Sequence, residues 1–115
     1  MQEDSSQPRP EASGARVLLC SRHFLRSWSR VPSQKRRHLQ TKIRLLAQSP
    51  AHPSLQAYRL QYPSGTIWGC RLSRGMRLLY QIDGGHVYLL DVGRHEMVER
   101  LPQRAYLDEQ RWTPF

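Results

Sequence analysis

No Asp or Glu occurs between Ala12 and Ile82, although that stretch holds thirteen of the eighteen Lys and Arg residues in this 115-residue chain. Mixed charge serves solubility better than one sign alone. A surface without built-in counter-charge suits a polyanion instead, and nucleic acid is the commonest one. The acids sit at the two ends: Glu3, Asp4 and Glu11 in front, then Asp83, Asp91, Glu96, Glu99, Asp108 and Glu109 behind, leaving a formal net charge of +9. Long apolar runs are also missing. None approaches the roughly 20 residues of a membrane span, and no apolar signal segment follows Met1, so no membrane association is expected and the expected location is the cytoplasm. Cysteine is scarce. Cys20 and Cys70 form no C-x-x-C or C-x-x-H cluster, so no metal site and no cofactor is expected, and both read as small buried strand residues.

What is present suits one domain of ordinary size. Residues 1–14 contain only Met1 and Ala12 as apolar residues, with two prolines, and are expected to form a disordered tail, because they cannot bury enough to offset their ordering entropy. The domain then runs from 15 to 115. Ala15 to Cys20 reads as a strand. Ser21 is a helix N-cap ahead of Phe24, Leu25, Trp28 and Val31 at helical spacing. Pro32 stops that helix, and Ser33 caps a second one over Gln34 to Gln48, with Leu39, Ile43 and Leu46 on its buried face. Ser49-Pro50-Ala51-His52-Pro53 ends it. Residues 55–60 read as a short strand or extended link, and Tyr62-Pro63-Ser64-Gly65 as a turn. Strands are expected at about 66–72, 76–82 and 86–92, the last two joined by the hairpin signal Asp83-Gly84-Gly85. The fold class is therefore α+β: an N-terminal strand, an αα-hairpin on an antiparallel sheet of about four strands, and a short C-terminal helix through Gln110. In the strand at 76–82, alternation puts Met76, Leu78, Tyr80 and Ile82 on one face and Arg77 on the other, open one.

The order strand, helix, helix, antiparallel meander resembles the RelE toxin superfamily. The resemblance spans roughly Ala15 to Arg100. It rests on Ser49-Pro-Ala-His-Pro-Ser-Leu55, Gly75-Met-Arg-Leu-Leu-Tyr-Gln-Ile82 and Leu89-Leu-Asp-Val-Gly-Arg-His95. It implies a small basic toxin of a type II toxin–antitoxin system, a ribosome-dependent mRNA endoribonuclease, held in check by an acidic antitoxin. It further implies that Arg77 holds the scissile phosphate, that Arg71 falls near a basic position, that His95 stands where a catalytic His or Arg is frequent, and that His52 lies near a region where some members use another histidine. Two residues depart from the pattern. Gly69 stands where RelE has a second strand lysine, and Glu99 where many members have a tyrosine.

The implied chemistry needs few parts. A substrate 2′-OH attacks the adjacent phosphate, so a base, an acid and cations for the phosphorane are required. Arg77 supplies a fork that binds phosphate and keeps its charge. His95 suits the acid or base role, and Glu99 could orient it or act as base. Arg71, Arg74, Arg94 and, on the second helix, Lys35, Arg36, Arg37 and Lys42 would contact phosphates. Tyr88, Trp68 and Trp112 are the candidates for stacking on unpaired bases. By its own position His52 reads first as a helix-terminating residue, Trp28 with Phe24 as core, and Arg77 taken alone as the polar alternate of a half-exposed strand. Two alternatives stand beside the nuclease: a catalytically weakened RNA- or partner-binding module on the same fold, and a ParE-like gyrase inhibitor, against which the Arg94-His95 pair argues.

Overall fold

The computed structural model describes residues 15–62, 65–96 and 111–115. The expected tail at 1–14, the centre of the turn at 63–64 and the expected C-terminal helix lie outside them, as does Glu99. The elements follow in the order β1 (Val17–Cys20), α1 (Arg22–Ser29), α2 (Ser33–Gln48), a 3-10 turn (Pro53–Leu55), β2 (Tyr58–Tyr62), β3 (Gly65–Arg71), β4 (Met76–Asp83), β5 (His86–Arg94) and β6 (Thr113–Pro114).

Ser21 caps α1 as its sequence position suggests: Oγ accepts from the Phe24 N–H at 3.0 Å. The second cap differs. Pro32 holds the N-cap position of α2 and Ser33 is the first helical residue, with no side-chain cap bond. The Pro32 carbonyl accepts from the N–H groups of Lys35 and Arg36, so the backbone alone starts this helix. Leu39, Ile43, Leu46 and Ala47 form the buried stripe of α2. Of the α1 residues expected inside, Leu25 is 41% exposed. An eight-residue helix lays a narrow stripe on a sheet, and here Phe24 takes it, with Trp28 partly buried against the core.

The sheet has six strands in the order β2-β3-β4-β5-β1-β6, where about four were expected, and it is mixed rather than antiparallel. The chain leaves β1, passes through both helices and the β2–β3–β4 meander, and β5 returns parallel to β1 (Val17 opposite His86, Cys20 opposite Leu89). Residues 58–62 pair antiparallel with β3 along their whole length, so the weakly patterned segment is an edge strand. β6 is only two residues long and too short to show any alternation. It is tied to β1 by backbone pairing and by the Cys20 thiol, which donates to the Thr113 carbonyl at 3.4 Å. The hairpin between β4 and β5 closes through Gly84-Gly85, with Asp83 opposite His86. Gly84 has φ +58, a conformation glycine adopts without a Cβ penalty.

One face of the sheet carries the core. Cys70, Leu72, Leu78, Tyr80, Val87, Leu89 and Val92 pack with Phe24, Val31, Leu39, Ile43 and Leu46. The C-terminal Phe115 joins edge-on to Phe24 at 5.6 Å and to Trp28 at 5.5 Å between ring centroids. Such aromatic pairs contribute about 0.5–1.5 kcal/mol each beyond their area. Cys20 and Cys70 are buried free thiols, with β4 and β5 between their strands. Burial pushes the Cys70 thiol up to about 12, against smaller opposing effects of Lys42 and Arg77.

A register shift between Leu79 and Tyr80 leaves Leu90 unpaired in β5, since Leu79 faces Asp91 while Tyr80 faces Leu89. Such a bulge re-aims the side chains beside it. Asp91 thereby meets α1: it accepts from Ser27 Oγ at 2.6 Å and pairs with His23 Nε2 at 3.1 Å, while also accepting the Val92 N–H at 2.8 Å. It is 5% exposed, and a buried carboxylate persists only with partners of this kind.

Candidate functional site

Strand register decides what the second, outer face presents. Across it, Tyr58 faces Gly69, Gly69 faces Leu79, and in the next row Arg71 faces Arg77, which faces Gly93. Side chains of paired residues share a face. Arg71 and Arg77 are therefore direct cross-strand neighbours of like charge. The expectation of an open, solvated face needs correction: Ile67 and Leu79 on it are buried, and Arg77 is half-buried. Its Nη1 donates to the carbonyls of Ser73 (3.3 Å), Arg74 (3.4 Å) and Met76 (3.2 Å). The tight β3–β4 loop turns these carbonyls toward the arginine that follows it. Among the described residues no carboxylate pairs with this guanidinium, and Nη2 and Nε make no hydrogen bond.

The same loop brings in the other charges. Gly75 carbonyl accepts from the His95 N–H at 3.2 Å, and Met76 faces Arg94. Arg71, Arg74, Arg77, Arg94 and His95 thus gather at one end of the sheet. Arg74, Arg94 and His95 are exposed, and Arg71 donates to Gln56 Oε1 at 3.0 Å. Around the corner, toward the helices, Arg94 continues into a cleft of about 730 Å³, which Arg30 and Lys35 also line above Asp91. The site has one residue that alternation and motif did not mark. The Tyr58 ring lies across Gly69 so closely that a Cβ there would stand 2.5 Å from Oη and 2.6 Å from Cε2. Burial raises the Tyr58 phenol above its ordinary value, and nearby Arg77 partly opposes that rise. The signal available was the glycine itself: an aromatic opposite a strand glycine folds over the gap, but this needs the β2–β3 register.

Other candidates lie elsewhere. His52 caps the 3-10 turn, with Nδ1 accepting from the Ser54 N–H at 3.1 Å. Its position after α2 serves the next turn rather than the helix end. Arg36 donates to the Val31 carbonyl at 2.9 Å and Lys42 to the Ser54 carbonyl at 3.2 Å, so both tie α2 to adjoining backbone. Lys35 borders the Arg94 cleft, and Arg37 is exposed. Trp68 is on the helix side of the sheet, packed against the core, with Arg59 at 5.9 Å from its ring centre. Tyr88 and Trp112 meet edge-on at 4.9 Å, near the start of β5, whereas Gly93 beside Arg77 is near its end. Five residues of strand separate them, about 16 Å. The structure does not bring the three aromatics to the arginine cluster. Among the described residues no group of His, Cys, Asp and Glu could hold a metal.

No family model matches the sequence, and no curated protein matches it. Solved structures do. A copper-bound mutant toxin from Helicobacter pylori superposes with a TM-score of 0.57 at 16% identity, over 72% of this chain and 98% of that one. A YoeB dimer from Staphylococcus aureus gives 0.55 at 17%, over 71% and 99%. The intact RelBE toxin–antitoxin complex of E. coli gives 0.50 at 26%, over 71% and 99%. By its fold, the chain belongs to the RelE-like toxin superfamily.

Proposed function

We propose that the chain is the toxin of a type II toxin–antitoxin pair, acting in the cytoplasm as a metal-free endoribonuclease on ribosome-held mRNA. The observation that carries this reading is the cross-strand pair Arg71–Arg77, without a carboxylate partner among the described residues, set beside His95 on a RelE-like sheet. Two guanidinium groups held side by side are stable when an anion lies between them, and a phosphodiester has the geometry to accept both forks. The 2′ oxygen attacks phosphorus, Arg77 and Arg71 stabilise the charge that develops, and the His95 imidazole handles a proton. The products are a 2′,3′-cyclic phosphate and a 5′-OH. Arg74 and Arg94, with Lys35 beyond, hold the flanking phosphates and set the register of the strand, not its sequence.

An acidic antitoxin is the partner this charge suits. Purified protein is expected to cut translating mRNA at the ribosomal A site and to leave the same RNA intact without ribosomes. Arg77→Ala should lower cleavage by about a hundredfold to a thousandfold, the loss typical of one transition-state donor. Undiminished cutting by that variant removes Arg77 from the centre, and inhibition of gyrase supercoiling in place of cleavage would move the protein to the ParE-like reading.

A further inference from the structure

Cleavage needs a proton donor for the departing 5′ oxygen as well as a base for the 2′-OH; His95 can fill one of these tasks, and Glu99, the other group expected from sequence, lies outside the described residues. In sheet order, the Arg77 strand lies between one strand that carries a tyrosine and another that is followed by a histidine, both able to handle a proton. On one side, two strands away, β2 supplies Tyr58, whose ring spans β3 at Gly69. On the other side β5 ends at Arg94, and His95 follows it with its N–H bonded to the Gly75 carbonyl. A glycine stands beside each: Gly69 beneath the ring, and Gly93 next to Arg77. In-line displacement places the attacking and leaving oxygens on opposite sides of phosphorus, so acid and base must also be on opposite sides. The strand order, with β2 on one side of β4 and the end of β5 on the other, suits that requirement.

Building on the nuclease reading above, we propose that Tyr58 is a catalytic residue, the general acid that protonates the 5′ leaving oxygen while Arg77 holds the phosphate. The 2′ proton passes to the His95 imidazole as the 2′ oxygen bonds to phosphorus. The bond from phosphorus to the 5′ oxygen then breaks, and the phenol proton moves to that oxygen. The phenolate regains a proton from solvent as the imidazolium returns one, so the cycle balances without a cofactor. The direction of transfer follows from the environment. Burial keeps the phenol protonated at neutral pH, so it can give a proton and cannot serve as the base. Neighbouring Arg77 stabilises the phenolate as it forms. No hydrogen bond occupies the hydroxyl among the described residues.

Tyr58→Phe leaves the ring over Gly69 and removes only the hydroxyl. Single-turnover cleavage of translating mRNA is expected to slow by about a hundredfold or more, the usual contribution of a positioned acid, with KM little changed. The same variant should regain most of its rate on an mRNA carrying sulfur in place of the 5′ bridging oxygen, because a thiolate leaves without protonation. A purely structural role for the ring predicts equal loss on both linkages, and that result, or no loss at all, overturns the assignment. Arg77→Ala, run in parallel, should lose activity on both substrates. Wild-type protein that cuts neither would sink the nuclease reading and this one with it, whereas cutting that depends on Arg77 and ignores Tyr58 would sink this one alone.

Discussion

Gly69→Ala tests the contact between Tyr58 and the sheet without touching a charge. The new Cβ would stand 2.5 Å from Tyr58 Oη and 2.6 Å from Cε2, and closer still to Cζ. That is about 1 Å or more inside the 3.5–4.0 Å optimum for carbon contacts. The obstructing atoms are the far end of a side chain, so the ring swings off rather than the strands parting. Overpacking of this kind costs about 1–3 kcal/mol. Relief of the glycine penalty in a strand returns about 0.5–1 kcal/mol, and Gly69 has an ordinary φ, so no strain offsets it. The expected net loss is up to about 2.5 kcal/mol, read from the urea midpoint at unchanged m-value. In a Tyr58→Ala background the obstruction is gone, and Gly69→Ala should stabilise by about 0.5–1 kcal/mol. The cycle should therefore show coupling well above the roughly 0.3–0.5 kcal/mol scatter of independent sites. Additive effects across the cycle would mean that the ring does not rest on this glycine. The same clash predicts that Gly69→Lys will not graft a working lysine onto β3.

Three further outcomes follow from the same geometry. Cys70, raised in the fold to about 12 from 9.0, and Tyr80, raised from 10.0 by burial, both stay protonated longer folded than unfolded. The stability they contribute is complete below pH 9 and drains away from there toward pH 12, so melting temperature should fall across that window, and less steeply for Cys70→Ala. Asp91→Asn keeps the volume but removes the charge that accepts from Ser27, Val92 and His23; a loss of about 1–3 kcal/mol in chemical denaturation is expected, and a neutral result would remove the bulge from the elements that hold α1. Arg71→Gln relieves like charge across β3 and β4, so the free protein should melt at the same temperature or slightly higher, while added phosphate should stabilise wild type more than the variant.

The helices and the central strands were legible because their signals are local. Ser21 caps the helix at whose start it stands, the α2 stripe repeats at helical spacing, and Gly84-Gly85 closes a hairpin between adjacent segments. The arginine cluster was legible too, since Arg71, Arg74 and Arg77 surround one loop and Arg94-His95 ends the strand paired with it. What escaped depends on pairing between distant segments. The parallel match of β1 with β5 and the two-residue β6 have no periodicity of their own to announce them, and the segment at 55–60 could be read only as a short strand or an extended link. Tyr58 is the instance within the candidate site: its neighbour is Gly69, eleven residues on, and only register shows that an aromatic ring fills the space where the resemblance led one to expect a lysine. The aromatic candidates lie away from the arginine cluster for a related reason. Trp68 and Tyr88 are well-placed strand residues by alternation, but alternation does not say which end of a sheet a charge cluster occupies.

A protein that sets two arginines directly across from each other accepts repulsion in its free state. Arg77 softens this by giving Nη1 to three backbone carbonyls in and beside the β3–β4 loop, and Arg71 by reaching to Gln56. Both arrangements use neutral acceptors, which hold the guanidinium groups in place without neutralising them. A carboxylate in their place would stabilise the fold more and would compete with any incoming anion. Positioning by carbonyl and amide oxygens leaves the positive potential for a phosphate to satisfy. On the proposed reading the acid-free stretch from Ala12 to Ile82 serves the same end: with β2, β3 and the first seven residues of β4 inside that stretch, none of these segments can supply an internal counter-ion to the two guanidinium groups.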